Sequence, residues 1–201
     1  MLKALPLFPL PLIKLPGELL ELHIFEPRYR KLLEDLKTGE QPLIGIPCTI
    51  DEAPQTGQLG CLARLKSILK IHPDGRADIY LEVVDLFQLA QYEPKWQDKP
   101  YPGGQVQALN AQNLRIEDHW LIQQLRLLKA QYPLALPLTI EKDMGEFDLL
   151  AQLPIQDVAK LNYLQLPPNS PARKALLRYE VKQLGLLLMQ QKAVYKGFCF
   201  N

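Results

Sequence analysis

At about residue 113 the spacing of apolar residues changes, and the change divides what this chain can fold into. Upstream the spacing is two: Ala63, Leu65, Ser67, Leu69 and Ile71 share one face while Arg64, Lys66 and Lys70 take the other, and Ile79, Leu81 and Val83 repeat the pattern. Downstream it is 3.6: Leu121, Leu125, Leu128 and Tyr132 fall on one stripe, and Leu177, Val181, Leu184 and Leu188 form a heptad-like seam. One chain therefore carries a β portion, residues 1–112, and a helical portion, residues 113–201, an α+β organisation.

Proline and glycine punctuate the β portion. Pro6, Pro9 and Pro11 confine residues 2–9 to a first or edge strand, because a central ladder has no use for three missing donors. Pro16-Gly17 makes a turn, residues 18–25 read as a second strand, and Pro27 stands at the first position of a helix ending at Gly39. Residues 42–50 and 59–71 are strands. Asp74-Gly75 turns the chain back into a long strand whose alternation slips near Val84, as at a β-bulge, and a proline-rich loop leads to a last strand around residues 105–109. Six strands and one early helix make a small barrel-like unit. In the helical portion, Ser170 reads as the N-cap and Pro171 as the first residue of the last helix.

Composition removes several function classes. With 47% hydrophobic and 22% charged residues the chain builds a core. Its net charge is +1, from 23 basic and 22 acidic side chains, without the basic stripe of a nucleic-acid binder. The N-terminal stretch is apolar, but its prolines break the helix a signal peptide needs, and no run of 18 apolar residues spans a membrane. Cys48, Cys61 and Cys199 are odd in number and widely spaced, which implies neither a disulfide framework nor a zinc site and fits a cytoplasmic chain.

A catalytic set is hard to assemble. Ser67-Ile-Leu-Lys70 matches S-x-x-K, but that motif needs a helix to bring both side chains to one face, and strand alternation places them on opposite faces. Cys48 and Cys61 sit at apolar strand positions suited to buried thiols. His23, His72 and His119 come from a strand, a turn and a helix start with no metal-ligand spacing, so no metal or other cofactor is implied. The densest chemistry lies in "HIFEPRYR", residues 23–30. There Arg28, Arg30 and Lys31 occupy a helix's first turn, where the macrodipole disfavours cations. Either Arg28 or Arg30 pairs with a carboxylate or strand-end carbonyl of the barrel while Phe25 and Tyr29 pack inward, or the guanidinium groups recognise an acidic ligand.

"LPLFPL" at residues 5–10, "LPG" at 15–17, "LHIFEPRYR" at 22–30, "LGCLARL" at 59–65 and "DGR" at 74–76 occur in one order. In that order and spacing the chain resembles the LON substrate-binding domain, the N-terminal part of ATP-dependent Lon proteases that also occurs alone in bacteria. The resemblance implies a PUA-like six-stranded pseudobarrel with one early helix, followed by a C-terminal helical bundle. This chain departs from the family pattern at Val83, where glycine is usual, and at Leu86, where arginine is usual, while Phe87 is kept.

The 201 residues contain no G-x-x-x-x-G-K-[ST] loop. What the resemblance implies is a non-enzymatic module that binds unfolded or peptide segments of proteins, alone or with a component of a proteolytic system. Trp96 and Tyr101, in the proline-stiffened loop, are the expected docking aromatics, Arg28 and Arg30 the expected polar contacts; Trp96 covering a barrel mouth is the structural alternative. A PUA-like RNA-binding module is the alternative function, and the near-zero net charge counts against it.

Overall fold

The computed structural model describes residues 2–39, 41–50 and 53–198. The chain divides into two compact units, 1–112 and 113–201.

The first unit holds β1 (Leu2–Pro6), β2 (Leu19–Ile24), α1 (Pro27–Thr38), β3 (Ile44–Pro47), β4 (Leu59–Ile71), β5 (Ala77–Glu93) and β6 (Gly103–Ala108). The strands pair antiparallel in the order β1-β6-β5-β4-β3. β5 is long enough to serve two neighbours in succession on one edge: its first half pairs with β2 and its second with β6, while β4 runs along the other edge.

Closure comes from the segment after β1. Leu7 and Leu10 bridge in parallel to Gly45 and Cys48 beside β3, with Phe8 N–H donating to the Gly45 carbonyl (2.8 Å) and Leu10 N–H to that of Pro47 (3.1 Å). Successive N–H groups of an extended segment point to opposite sides, so Pro9 and Pro11 fall where a donor would face away from β3. The prolines thus mark the seam where the pseudobarrel closes.

Inside lie Leu5, Leu7, Leu62, Phe87, Leu89 and Val106. Phe87 fits because Gly60 lies beneath it: a Cβ there would stand 2.5 Å from the Phe87 ring and 2.5 Å from the Ile46 carbonyl oxygen. The slip in β5 is a bulge at Val84, where the register passes from Leu62↔Asp85 to Ala63↔Val83. Ile79, Leu81 and Val83 point inward before it, and Leu86, Phe87 and Leu89 continue the core after it.

β4 departs from the simple alternation. Further register shifts fall between Leu65 and Ser67 and between Ile68 and Lys70, so Ile68 meets Ile79 across the ladder and Leu69 is left exposed between pairs, while Ile71, opposite Ala77, is exposed as the last residue of the strand. Each extra residue reverses the parity of those that follow. The same shifts place Ser67 and Lys70 opposite Tyr80 and Asp78, on one face rather than two. Both are exposed strand residues, and no hydrogen bond joins them.

The second unit contains α2 (His119–Gln131), α3 (Glu146–Gln152), α4 (Asp157–Gln165) and α5 (Pro171–Phe198). Leu177, Val181, Leu184 and Leu188 are the buried seam of α5, and Leu121 and Leu125 that of α2. Ser170 Oγ accepts from the Arg173 amide at 3.1 Å, the role of an N-cap. At seven residues α3 is too short to show a helical period; it starts because Asn113 Oδ1 accepts from the Phe147 amide and Asp148 from that of Gly145. The α+β pseudobarrel with a helical C-terminal part is thus the observed architecture.

Candidate functional site

The "EPRYR" stretch is where β2 passes into α1, and its two arginines differ. Arg30 Nε donates to the Phe25 carbonyl (2.9 Å) and Nη1 to that of Asp74 (2.8 Å), tying the helix start to the β4–β5 turn. Gly75 holds that turn at φ +83°, and an added Cβ would meet Arg30 Nη1 at 3.2 Å. Arg28 is exposed, pairs among the described residues with nearby Glu26 (2.8 Å), and lays its guanidinium over the Tyr29 ring, 4.6 Å from the centroid. Tyr29 is buried against Phe8, ring centroids 3.9 Å apart, but Phe25 is 57% exposed, contrary to the inward packing expected of it. The joint is therefore Arg30. Arg30→Ala should cost about 1 to 2 kcal/mol, the worth of charge-assisted bonds to two carbonyls, and Arg28→Ala no more than about 0.5 kcal/mol. Chemical unfolding of both variants separates them; equal losses would refute the assignment.

Trp96 and Tyr101 do not offer exposed rings. Trp96 is 5% exposed, its indole lying over Gly103 with no room for a side chain there, and Tyr101 is fully buried, ring centroid 6.3 Å from that of Trp96. The prolines that stiffen this loop fold it back onto the barrel, where the two aromatics bury more apolar area than they could in solution. Tyr101 hydroxyl donates to Asp35 Oδ2 at 2.6 Å, Lys99 donates to the same oxygen at 2.8 Å, and Lys31 stands 3.3 Å from Oδ1. Burial alone would raise the Asp35 carboxyl; the bonds from Lys99, Tyr101 and Lys31 outweigh it and hold the group below the usual range. Asp35 fastens α1 to the β5–β6 loop. Neither thiol described is poised as a nucleophile: Cys48 and Cys61 are buried, and burial pushes the Cys61 thiol up to about 12. Cys199 lies outside the described residues.

An apolar groove with exposed aliphatic side chains lies in the helical unit. Between α2 and α5 runs an open groove of about 430 Å³ whose lining includes Trp120, Leu127, Leu128, Leu186 and Met189. Leu127, Leu186 and Met189 are about half exposed or more, at 48%, 53% and 59%. Trp120 is fixed from above by two cations, Arg178 Cζ and Lys182 Nζ, each 5.3 Å from its ring centroid. Arg178 is fixed in turn by a two-point contact with Asp118 (2.6 and 2.9 Å), and that pairing, with the Leu121 amide, holds the Asp118 carboxyl low. Leu127 and Leu186 stand off the core stripes of their helices, a signal available in the sequence but indistinguishable there from scattered surface leucines.

Sequence spacing also concealed a cluster in the first unit. His23, Asp78 and His72 come from β2, β5 and the turn after β4, and the pairing of β2 with β5 sets His23 directly opposite Asp78.

The architecture is thus a β pseudobarrel unit and a helical unit that carries an apolar groove. The ATP-dependent protease La (LON) substrate-binding domain family matches residues 4–190, and the chain belongs to that family. Among solved structures it is similar to a Lon N-terminal domain protein from Xanthomonas campestris, with 24% identity, 82% of this chain and 90% of that one covered, and a TM-score of 0.60. It is also similar to the N-terminal domain of a Mycobacterium avium complex Lon protease, with 14% identity, 90% and 97% covered, and a TM-score of 0.59. At these identities the likeness is one of fold. No curated protein sequence matches. Among the described residues no helix is long and apolar enough to cross a membrane.

Proposed function

We propose that this chain is a non-enzymatic recognition module that captures unfolded or extended segments of other proteins in the cytoplasm. The observation carrying the reading is the α2–α5 groove, where Leu127, Leu186 and Met189 stay exposed beside a Trp120 held rigid by Arg178 and Lys182. Unfolded chains present apolar side chains without fixed geometry, which suits a shallow surface built on an adaptable methionine and a pre-ordered indole. Lys182 on the groove wall favours segments whose apolar residues are flanked by Asp or Glu. Of the four residues singled out in the sequence, Arg28 has the exposed charged head a partner could meet and is kept as a secondary contact; Trp96, Tyr101 and Arg30 support the fold.

Binding of a reduced, carboxymethylated, permanently unfolded protein, followed by fluorescence anisotropy, tests the proposal. Leu186→Asp should weaken binding at least about tenfold, the effect of burying an unpaired charge in an apolar contact, without lowering the melting temperature. Unchanged affinity in Leu186→Asp, or no binding by the parent chain, would overturn it. Preferential binding of single-stranded RNA with a steep salt dependence would favour the other use of a PUA-like barrel.

A further inference from the structure

The three ligand atoms of the His23–His72–Asp78 cluster lie within 4.8 Å of one another. His23 Nδ1 is 2.5 Å from Asp78 Oδ1, and His72 Nε2 is 2.8 Å from Oδ2. The two rings meet edge to face at 5.7 Å, and exposed Phe25 stacks on His23 at 6.1 Å. Backbone geometry holds the donors in place: antiparallel pairing sets His23 against Asp78, and the turn is locked by His72 N–H to the Arg76 carbonyl and Gly75 N–H to the His72 carbonyl. The cluster is reachable from solvent, its side chains being 44%, 21% and 28% exposed.

We propose that His23, His72 and Asp78 form a binding site for a divalent transition-metal ion of the Zn²⁺ class. Two imidazoles and one carboxylate are the ligand set for borderline ions, too nitrogen-rich for Mg²⁺ or Ca²⁺. An ion with bonds of about 2.0 to 2.2 Å needs its ligand atoms about 3.3 Å apart, so the two histidine nitrogens move together and the carboxylate backs away, each by a side-chain rotation of about 1 Å. On binding, each neutral ring carries its proton on the nitrogen turned away from the metal, so His23 Nδ1 and His72 Nε2 exchange a hydrogen bond to Asp78 for a coordinate bond. Three protein ligands leave at least one position to water or to a donor from a partner. Hydrogen bonding alone accounts for the same distances if the two rings simply brace β2 against the turn, and titration tells the two apart.

Calorimetric titration of the full chain with Zn²⁺, and optical titration with Co²⁺, should show one ion per chain. His23→Gln, His72→Gln and Asp78→Asn should each weaken that binding by at least the about 10- to 100-fold lost with a supporting residue of a metal site, while His119→Gln leaves it unchanged. Zn²⁺ should raise the melting temperature of the parent chain, with Mg²⁺ at the same concentration having no effect. Absence of a one-to-one event, or cluster variants that bind as the parent does, would overturn the proposal. Should a variant fail to fold, imidazole nitrogen resonances of the parent chain decide: Zn²⁺ must shift those of His23 and His72 and spare His119, and the reverse pattern refutes the site.

Discussion

Arg173→Ala is expected to destabilise the helical unit by about 3 to 5 kcal/mol, the range for removing one partner of a buried ion pair. Arg173 is 4% exposed; its guanidinium lies over the Tyr163 ring (4.5 Å), Nε donates to the Tyr163 carbonyl (3.3 Å), and Nη1 is 3.4 Å from Glu146 Oε2. Glu146 is 7% exposed, and its Oε2 is buried with no hydrogen bond among the described residues. The 3.4 Å contact is thus electrostatic, and the nearby positive charge is what makes that oxygen tolerable there. Burial first, and the Glu146 carboxylate second, raise the Tyr163 hydroxyl far above its ordinary value, so the phenol stays protonated. Deleting Arg173 strands a carboxylate, whereas Arg173→Met with Glu146→Gln removes both charges and should recover most of the loss. Urea unfolding of the single and double variants measures this. A single-variant loss below about 1 kcal/mol would show that water reaches the carboxylate and supports it instead.

Asp35→Ala should cost the barrel unit about 3 kcal/mol, because one buried side chain takes bonds from Lys99 and Tyr101 and an ion pair from Lys31. The effect should depend on pH in one direction. The folded carboxyl titrates below its unfolded value of about 3.9, so its contribution is fully present above that value and is lost as pH falls through the folded one. The gap in unfolding free energy between the parent and Asp35→Asn should be flat from about pH 5 to 8 and shrink below about pH 4. A gap that widens with acid would mean the carboxyl is protonated in the fold, and the knot would have to be redrawn. Trp96 belongs to the same loop and packs on Tyr101, so its fluorescence, followed in a Trp120→Phe background, reports whether the loop lifts when the knot is cut.

The elements of the fold were legible where the physics is local. Prolines at 6, 9 and 11 marked a first or edge segment, and that segment closes the barrel. The slip at Val84 marked a bulge, and the stripe Leu177, Val181, Leu184 and Leu188 marked the buried face of α5. Period, proline and capping act through neighbours in the chain, so the residues alone carry them.

Tertiary structure decided what depends on partners far apart in sequence. Nothing near Arg28 or Arg30 tells which reaches the Asp74 carbonyl, 44 positions from Arg30, and the answer made Arg30 the joint and left Arg28 on the surface. A tryptophan between prolines reads equally as a docking ring or a lid, and the glycine beneath it, Gly103, settled the matter by leaving room for the indole. Two extra residues in β4, Lys66 and Leu69, set Ile68 opposite Ile79 and left Leu69 exposed, because side-chain direction in a strand is set by parity along the ladder. His23, His72 and Asp78, up to 55 positions apart, meet only because β2 lies against the first half of β5. Side chains converge by register, and register is a property of paired strands that no single strand's sequence contains.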